Sequence, residues 1–498
     1  MYELTKLIRE DLKPALGVTE PGAVAFAAAS AREHVQGEIR KVRVALNSGM
    51  YKNAFTCGIP NSSNYGNLYA AALGAVAADA GKGLESLADI TPEDDRKAEE
   101  MVTEGLVEVV MDHIGSGITI DATVETKQDR CTVHIRDSHT HIVSIEKNGR
   151  RIYGDEAYPA SGREYGLPVD PEQETPVIHR YSLGEILTYI REVPAEEIAF
   201  IRDAFSMNLK LLEEGIASGR AVIAKQLLKE NGGVMISEDP LGTAQLLCSG
   251  AIEARVLGLG SPAMSITGSG AHGIIASMPL YAWYKVRGQK AEASGRTGAM
   301  MEAAAVQGRC AEPEKALDSI AAGAGPKESA AYGRCAGSEK APVSAGEEAK
   351  PEDAALLRAT ALSYLITMYI KEYSGRLSAF CGCGIAAGTG MACGLAFLQG
   401  ADEAVIAAVI RNMASGLTGM ICDGGNHGCA MKGIVAVDAA FRAVSMAKAG
   451  ASIESIHGIN GVTPEDTMRY MGMIASPGMV QTEKTIVEIM EEKAEKSE

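Results

Sequence analysis

A chain of 498 residues with a formal net charge of −17 can bury a large core, and its acidity argues against non-specific nucleic-acid binding. Seven Phe and one Trp give no stacking platform for bases, while abundant Gly, Ala and Met suit close helix packing. Ten cysteines, several beside glycine, fit a reduced cytoplasm rather than a disulfide framework, and no basic-then-apolar opening marks a secretory signal.

Leu4, Leu7, Ile8 and Leu12 recur at helical spacing and predict a helix over residues 3–13, ending at Pro14. Gly17 to Gly22 makes a turn in which Thr19 can cap a helix starting near Pro21. Val42, Val44 and Leu46 alternate as a strand. It delivers two polar, glycine-bearing loops, Asn47 to Asn53 and Cys57 to Asn64, with the donors to hold a carboxylate. On turn chemistry alone they also read as solvated turns, and Cys57 as a small buried hydrophobe. Thr91-Pro92-Glu93-Asp94 opens a helix with a capping box. Alternation at 118–124, 133–135, 143–145 and 152, broken by turns such as Lys147-Asn148-Gly149, predicts an antiparallel meander. His139 and His141 stand just ahead of one of its strands, as edge residues or as a base or metal ligand.

From Ser182-Leu183-Gly184-Glu185, a second capping box, the chain turns helical, which places a domain boundary near Pro176. The fold class is α+β: a mixed α/β part with the meander over 1–176, then a mainly helical part over 177–498. Gly268-Ser269-Gly270 leads into a helix and offers backbone N–H groups to an anion, with His272 close behind. Residues 286–351 lack hydrophobic periodicity and carry a near-repeat, GRCAEPEKA and GRCAGSEKA. They read as a poorly packed insert whose Cys310 and Cys335 hold no metal. Ala379 to Gln399 is uncharged and just long enough to span a bilayer, but its Gly, Ala, Cys and Thr read as a buried helix, with no membrane contact.

Five cysteines crowd between Arg376 and Lys432. Cys381, Cys422 and Cys429 could meet as thiolates; Cys422 and Cys429 bracket a loop too glycine-rich for a helix interior. Three thiolates plus a vacant position fit a catalytic centre better than a closed structural site, with iron–sulfur or zinc both open. On a helix Cys381 and Cys383 point about 200° apart, so at most one of them would ligate.

RLSAFC, GMICDG and CAMK, with the N-terminal ALGVTEPGAVAFAAA, resemble the L-cysteine desulfidase family, also called serine dehydratase alpha-like. The match covers most of the chain except about sixty residues after Tyr284. The resemblance implies a cytoplasmic [4Fe-4S] lyase that eliminates sulfide from cysteine, leaving pyruvate and ammonia; a homodimer is the assembly to test for. It selects Cys381, Cys422 and Cys429 as cluster ligands, with Cys383 and Cys393 as small core residues. It puts the amino-acid substrate at Ser48, Lys52, Asn53, Ser269 and Gly270, and offers His139, His272 and Lys52 as bases. Asp423 and His427 flank the cluster loop as tuning or turn residues. The chain departs from the family at Val18, where a cysteine is expected; this keeps open serine or another 3-substituted amino acid as substrate. A non-catalytic iron–sulfur or zinc protein is the reading from another class.

Overall fold

The computed structural model describes residues 2–154, 175–293 and 353–496. The chain opens with helix α1 (Tyr2–Asp11) and a short strand β1 (Lys13–Leu16), then α2 (Thr19–Arg32), β2 (Ile39–Asn47), α3 (Ser48–Ala54), α4 (Gly66–Val76) and α5 (Pro92–Thr103). Five strands follow: β3 (Val107–His113), β4 (Thr119–Thr126), β5 (Arg130–Arg136), β6 (Ile142–Lys147) and β7 (Arg150–Gly154). They form with β2 a six-stranded sheet in the order β3-β2-β4-β5-β6-β7. The β4–β7 run is the expected antiparallel meander, whereas β3 pairs with β2 in parallel and makes the sheet mixed.

Alternating Val42, Val44, Ile120, Ala122, Val124, Val133 and Ile135 point to one face, where α2 and α4 cover them. Those helices approach closely because they are built of small residues: a Cβ on Gly74 would lie 2.4 Å from the Ala25 carbonyl oxygen.

The helical part comprises α6 (Leu183–Glu192), α7 (Arg202–Ala217), α8 (Val222–Glu230), α9 (Pro240–Val256), strand β8 (Pro262–Ser265), α10 (Gly270–Ala293), α11 (Ala354–Ser374), α12 (Gly388–Leu398), α13 (Glu403–Leu417), α14 (Gly428–Lys448), α15 (Pro464–Met473) and α16 (Val480–Glu495). Its centre is α9, buried on every side and packed by α7, α8, α10 and α14. Both capping boxes form, Thr91 with Asp94 and Ser182 with Glu185.

Several expectations need correction. Val18, not Thr19, is the N-cap of α2; Thr19 is already helical, and its hydroxyl donates to Glu20. The segment after Asn47 is helix α3 rather than a loop. α1 buries Leu4 and Ile8 in the helical core, and β1 pairs with β8, so both belong with the C-terminal part. At the other end, α16 returns to pack on α3. The insert starts later than expected, since α10 continues to Ala293; the near-repeat with Cys310 and Cys335 lies outside the described residues. No helix among the described residues is long and apolar enough to cross a membrane, and the uncharged stretch after Ala379 is buried in the helical core.

Candidate active site

Two cysteine segments are joined by a short antiparallel bridge between Phe380 and Ile421. Cys381 N–H donates to the Met420 carbonyl (3.0 Å) and Cys422 N–H to that of Ala379 (2.6 Å), which sets Cys381 beside Cys422. The chain beyond Cys422 then presses on α3. Gly424 has φ +100°, and a Cβ there would lie 2.5 Å from the Lys52 carbonyl oxygen, so only glycine fits. Asn426 Oδ1 accepts the Gly428 N–H (2.8 Å) and starts α14, whose first turn carries Cys429.

Cys381 is not on a helix, because it precedes the π-helical turn at Cys383–Ala387. The expected 200° divergence therefore does not apply, and the Cys383 thiol acts on Cys381. The neighbouring Cys383, with the Gly384 N–H (3.4 Å) and the charges of Lys432 and Lys52, outweighs burial and brings Cys381 down to about 6. Cys383, half-buried beside it, is pushed well up by Cys381 and by burial. Burial raises Cys422 and takes Cys429 up to about 11. Cys393 lies inside α12 among core residues.

Three lysines surround the sulfurs. Lys52 is fully buried; its Nζ donates to the carbonyls of Cys422 (2.8 Å) and Ser378 (3.2 Å) and sits 3.0 Å from Glu483 Oε2. Burial would pull its pKa down, but the Cys422 sulfur and Glu483 together hold it raised. With three acceptors and a raised pKa, Lys52 is a clamp between α3, α16 and the cysteine loop, a geometry that argues against its role as a base. Lys432, one turn along α14, pairs with Asp423. Lys371 on α11 donates to the Arg376 carbonyl (3.1 Å); burial, then the Arg376 charge, lowers it to about 8.

The opposite wall is built from α2, α9 and the start of α10. Glu20 is buried and receives hydrogen bonds from Thr19 Oγ1 (2.9 Å) and Asn53 Nδ2 (2.9 Å). Burial would raise its carboxyl, yet His139, Asn53 and Arg255 bring it to about 2. His139 Nε2 is 3.9 Å from Glu20 Oε1 and, among the described residues, has no hydrogen-bond partner. Thr267 Oγ1 donates to the Ile266 carbonyl and lies 2.6 Å from His272 Nδ1. With the hydroxyl proton so committed, Nδ1 must be the donor, which leaves the lone pair on Nε2. That atom would be 2.6 Å from a Cβ on Gly382, between Cys381 and Cys383, with Lys371 Nζ 3.2 Å from the same point. Burial, then Lys371 and Arg255, hold His272 well below its usual range and keep it neutral.

The remaining expected residues are distributed unevenly. Ser48 is buried and accepts the Gly115 N–H (3.3 Å), a structural bond at the end of β2. Asn53 reaches the site, linking Glu20 to the Cys422 sulfur (3.8 Å from its Oδ1). Ser269 spends its backbone N–H and carbonyl on a bridge to Ile266, so its N–H is not free for an anion. Gly270 is the tight contact under Arg255. Val18 packs with Ala54, Cys57 and Val256 beside Cys429, so the place where the family's cysteine was expected is apolar here. His427 is exposed, 4.0 Å from Glu253. Glu20, Arg255, Lys371 and Lys432 were not anticipated. Arg255 left one signal, a cation that with Glu253 makes up the charge of an otherwise uncharged helix.

Among the described residues no group of three His, Cys, Asp or Glu side chains is already drawn to metal-ligand spacing. The donor set nonetheless suits an anionic soft-metal centre: Cys381, Cys422 and Cys429 feel one another's charge, and three buried or half-buried lysines surround them.

The chain matches the family described as serine dehydratase alpha chain over residues 81–331 and 335–488. A UPF0597 protein of Clostridium botulinum (strain Langeland) is 34% identical over 490 residues, covering 98% of both chains. One from Caldanaerobacter subterraneus is 32% identical over 487 residues (98% and 97%), and one from Clostridioides difficile 28% over 486 (97% and 98%). The likeness thus runs through most of the stretch after Tyr284 instead of skipping it.

Proposed function

This chain belongs to the serine dehydratase alpha chain family, a membership that points to a lyase, and we propose from it that the protein eliminates sulfide from L-cysteine to give pyruvate and ammonia. The observation that carries the reading is the convergence of Cys381, Cys422 and Cys429 with neutral His272 on one buried site. Those three cysteines would hold a [4Fe-4S] cluster. When bound, such a cluster with one iron free of protein thiolate supplies a Lewis acid for the leaving sulfur.

The chain's own groups divide the remaining work. His272 Nε2 takes the Cα proton, because its tautomer is fixed by Thr267 and its burial keeps it neutral. Lys52 and Lys432 offset negative charge around the sulfurs. Cys383 is pushed well up while Cys381 is brought down, which favours three ligands over a closed four-thiolate site and so a catalytic over a purely structural role. Sulfide loss leaves aminoacrylate, which water converts to pyruvate and ammonia. The apolar setting of Val18 supports a second substrate reading, L-serine or another 3-substituted amino acid.

Anaerobic reconstitution with iron and sulfide, then parallel sulfide and pyruvate assays on L-cysteine and L-serine, tests both. Cys381→Ala, Cys422→Ala and Cys429→Ala should each lose cluster absorbance and turnover, while Cys383→Ala keeps the absorbance. Full cluster content in Cys422→Ala overturns the ligand assignment; pyruvate from serine alone moves the activity to dehydration.

A further inference from the structure

Arg255 lies in the last turn of α9 and is only 4% exposed, yet among the described residues no carboxylate pairs with it and no hydrogen bond reaches its guanidinium. A buried charge in that state is costly, since its lost hydration is not replaced. Its neighbour Glu253 is as buried but fully used, accepting the N–H groups of Ile223 (3.0 Å) and Ala224 (2.7 Å) at the start of α8. Arg255 instead lies against the turn that opens α10: a Cβ on Gly270 would be 2.8 Å from its Nε. A second buried polar group borders the same turn. His139 Nε2 is buried without a hydrogen bond, and a Cβ on Gly268 would lie 3.2 Å from the ring. Glycine at 268 and 270 lets both side chains lie directly against the turn. The ionised Glu20 is the nearby counter-charge, 3.9 Å from His139.

We propose that Arg255 anchors the α-carboxylate of a free amino acid, with Glu20 at the start of α2 receiving its ammonium. This rests on the amino-acid lyase reading above. A guanidinium matches a carboxylate with two parallel N–H donors, and a ligand carboxylate supplies the acceptors that the protein withholds. The opposed charges of Arg255 and Glu20 select a zwitterion over an amide, an ester or a simple carboxylic acid. The reacting carbon is then carried towards His272, which lies five residues beyond Thr267 and is held by its hydroxyl.

Three variants test the anchor on reconstituted protein: Arg255→Gln, Arg255→Lys and Arg255→Met. Arg255→Gln should raise KM for the amino acid about 10- to 100-fold, the loss expected for a charge-assisted hydrogen-bond pair, with a smaller change in kcat. Discrimination between L-cysteine and L-cysteinamide should collapse with it, and Arg255→Lys should recover part of both. Removing an unpaired buried charge should leave the melting temperature of Arg255→Met unchanged or higher. An unchanged KM and amide discrimination in Arg255→Gln overturns the proposal, as does a melting temperature that falls in Arg255→Met and returns in Arg255→Lys with KM unaltered. If the protein turns over neither cysteine nor serine, calorimetric titration with each decides: binding that disappears in Arg255→Gln keeps the anchor while the lyase reading falls. No binding by the unsubstituted protein overturns the anchor itself.

Discussion

Two buried cations border the cysteine site from opposite sides, and their surroundings could hardly differ more. On the α3 side Lys52 has an ion pair and two carbonyls, contributed by segments more than three hundred residues away in sequence. On the α9 side Arg255 has none of these among the described residues. The first arrangement is complete without a ligand, so its charge serves the fold: it fastens the C-terminal helix α16 and the cysteine loop to the sheet-bearing part. The second is incomplete until something anionic arrives. Burial alone does not separate structural from functional charges; whether the partners are already present does.

The largest expected effect breaks the Lys52 side. Lys52→Met leaves Glu483 and the Ser378 and Cys422 carbonyls buried without their donor, and should cost about 3–5 kcal/mol of unfolding free energy. Denaturant titration of the cofactor-free chain measures it. A loss below about 1 kcal/mol would show that water or a rearranged α16 substitutes for the clamp, and the contrast with Arg255 would fail.

Glu20 sharpens the comparison from the carboxylate side. Its carboxyl ionises at about 2 in the folded chain against 4.5 unperturbed, because His139, Asn53 and Arg255 outweigh burial. A lowered folded value means the contribution is whole above about 4.5 and disappears as pH falls towards 2. Glu20→Gln should therefore be less stable than the parent at neutral pH, and the gap should narrow through that acid window. Parallel stability curves for both proteins, still separated by the same amount at the acid end, would show that Glu20 is not held by its neighbours' charges.

Much of this could be anticipated from sequence, unevenly and for physical reasons. The meander followed from alternation in 118–152, where one face is buried and the other is wet. The break in helix between Cys422 and Cys429 was legible because Gly424 and Gly425 disfavour a helix interior. Helix α3 was missed because Gly49, Asn47 and Asn53 are local turn-formers; the helix exists because Gly49 lets Leu377 pack against it, a Cβ there lying 2.4 Å from Leu377 Cβ. β1 and β8 each contain proline and join residues some 250 positions apart, beyond the reach of any local pattern. Cys383 was turned away from the site by assuming a helix that begins only after Cys381. Arg255 and Lys371 lie on helices buried on every side, where no periodicity marks the functional face.

The smallest expected effect repeats the Lys–Glu chemistry in water. Lys41 Nζ and Glu108 Oε2 are 2.7 Å apart across β2 and β3, closer than the 3.0 Å of Lys52 and Glu483, but their side chains are 47% and 42% exposed against 0% and 4%. If distance determined the strength of an ion pair, Lys41 would matter more. Exposed charges keep most of their hydration when separated, long side chains lose freedom when paired, and salt screens what attraction remains. Lys41→Met should therefore leave the melting temperature within experimental error at physiological salt, with any difference vanishing as salt is raised. The same substitution at Lys52 should remain severe at every salt concentration, because its partners are shielded from ions as well as from water. A Lys41→Met protein as damaged as Lys52→Met would mean that geometry, not dehydration, sets the cost, and the distinction drawn between Lys52 and Arg255 would lose its physical basis.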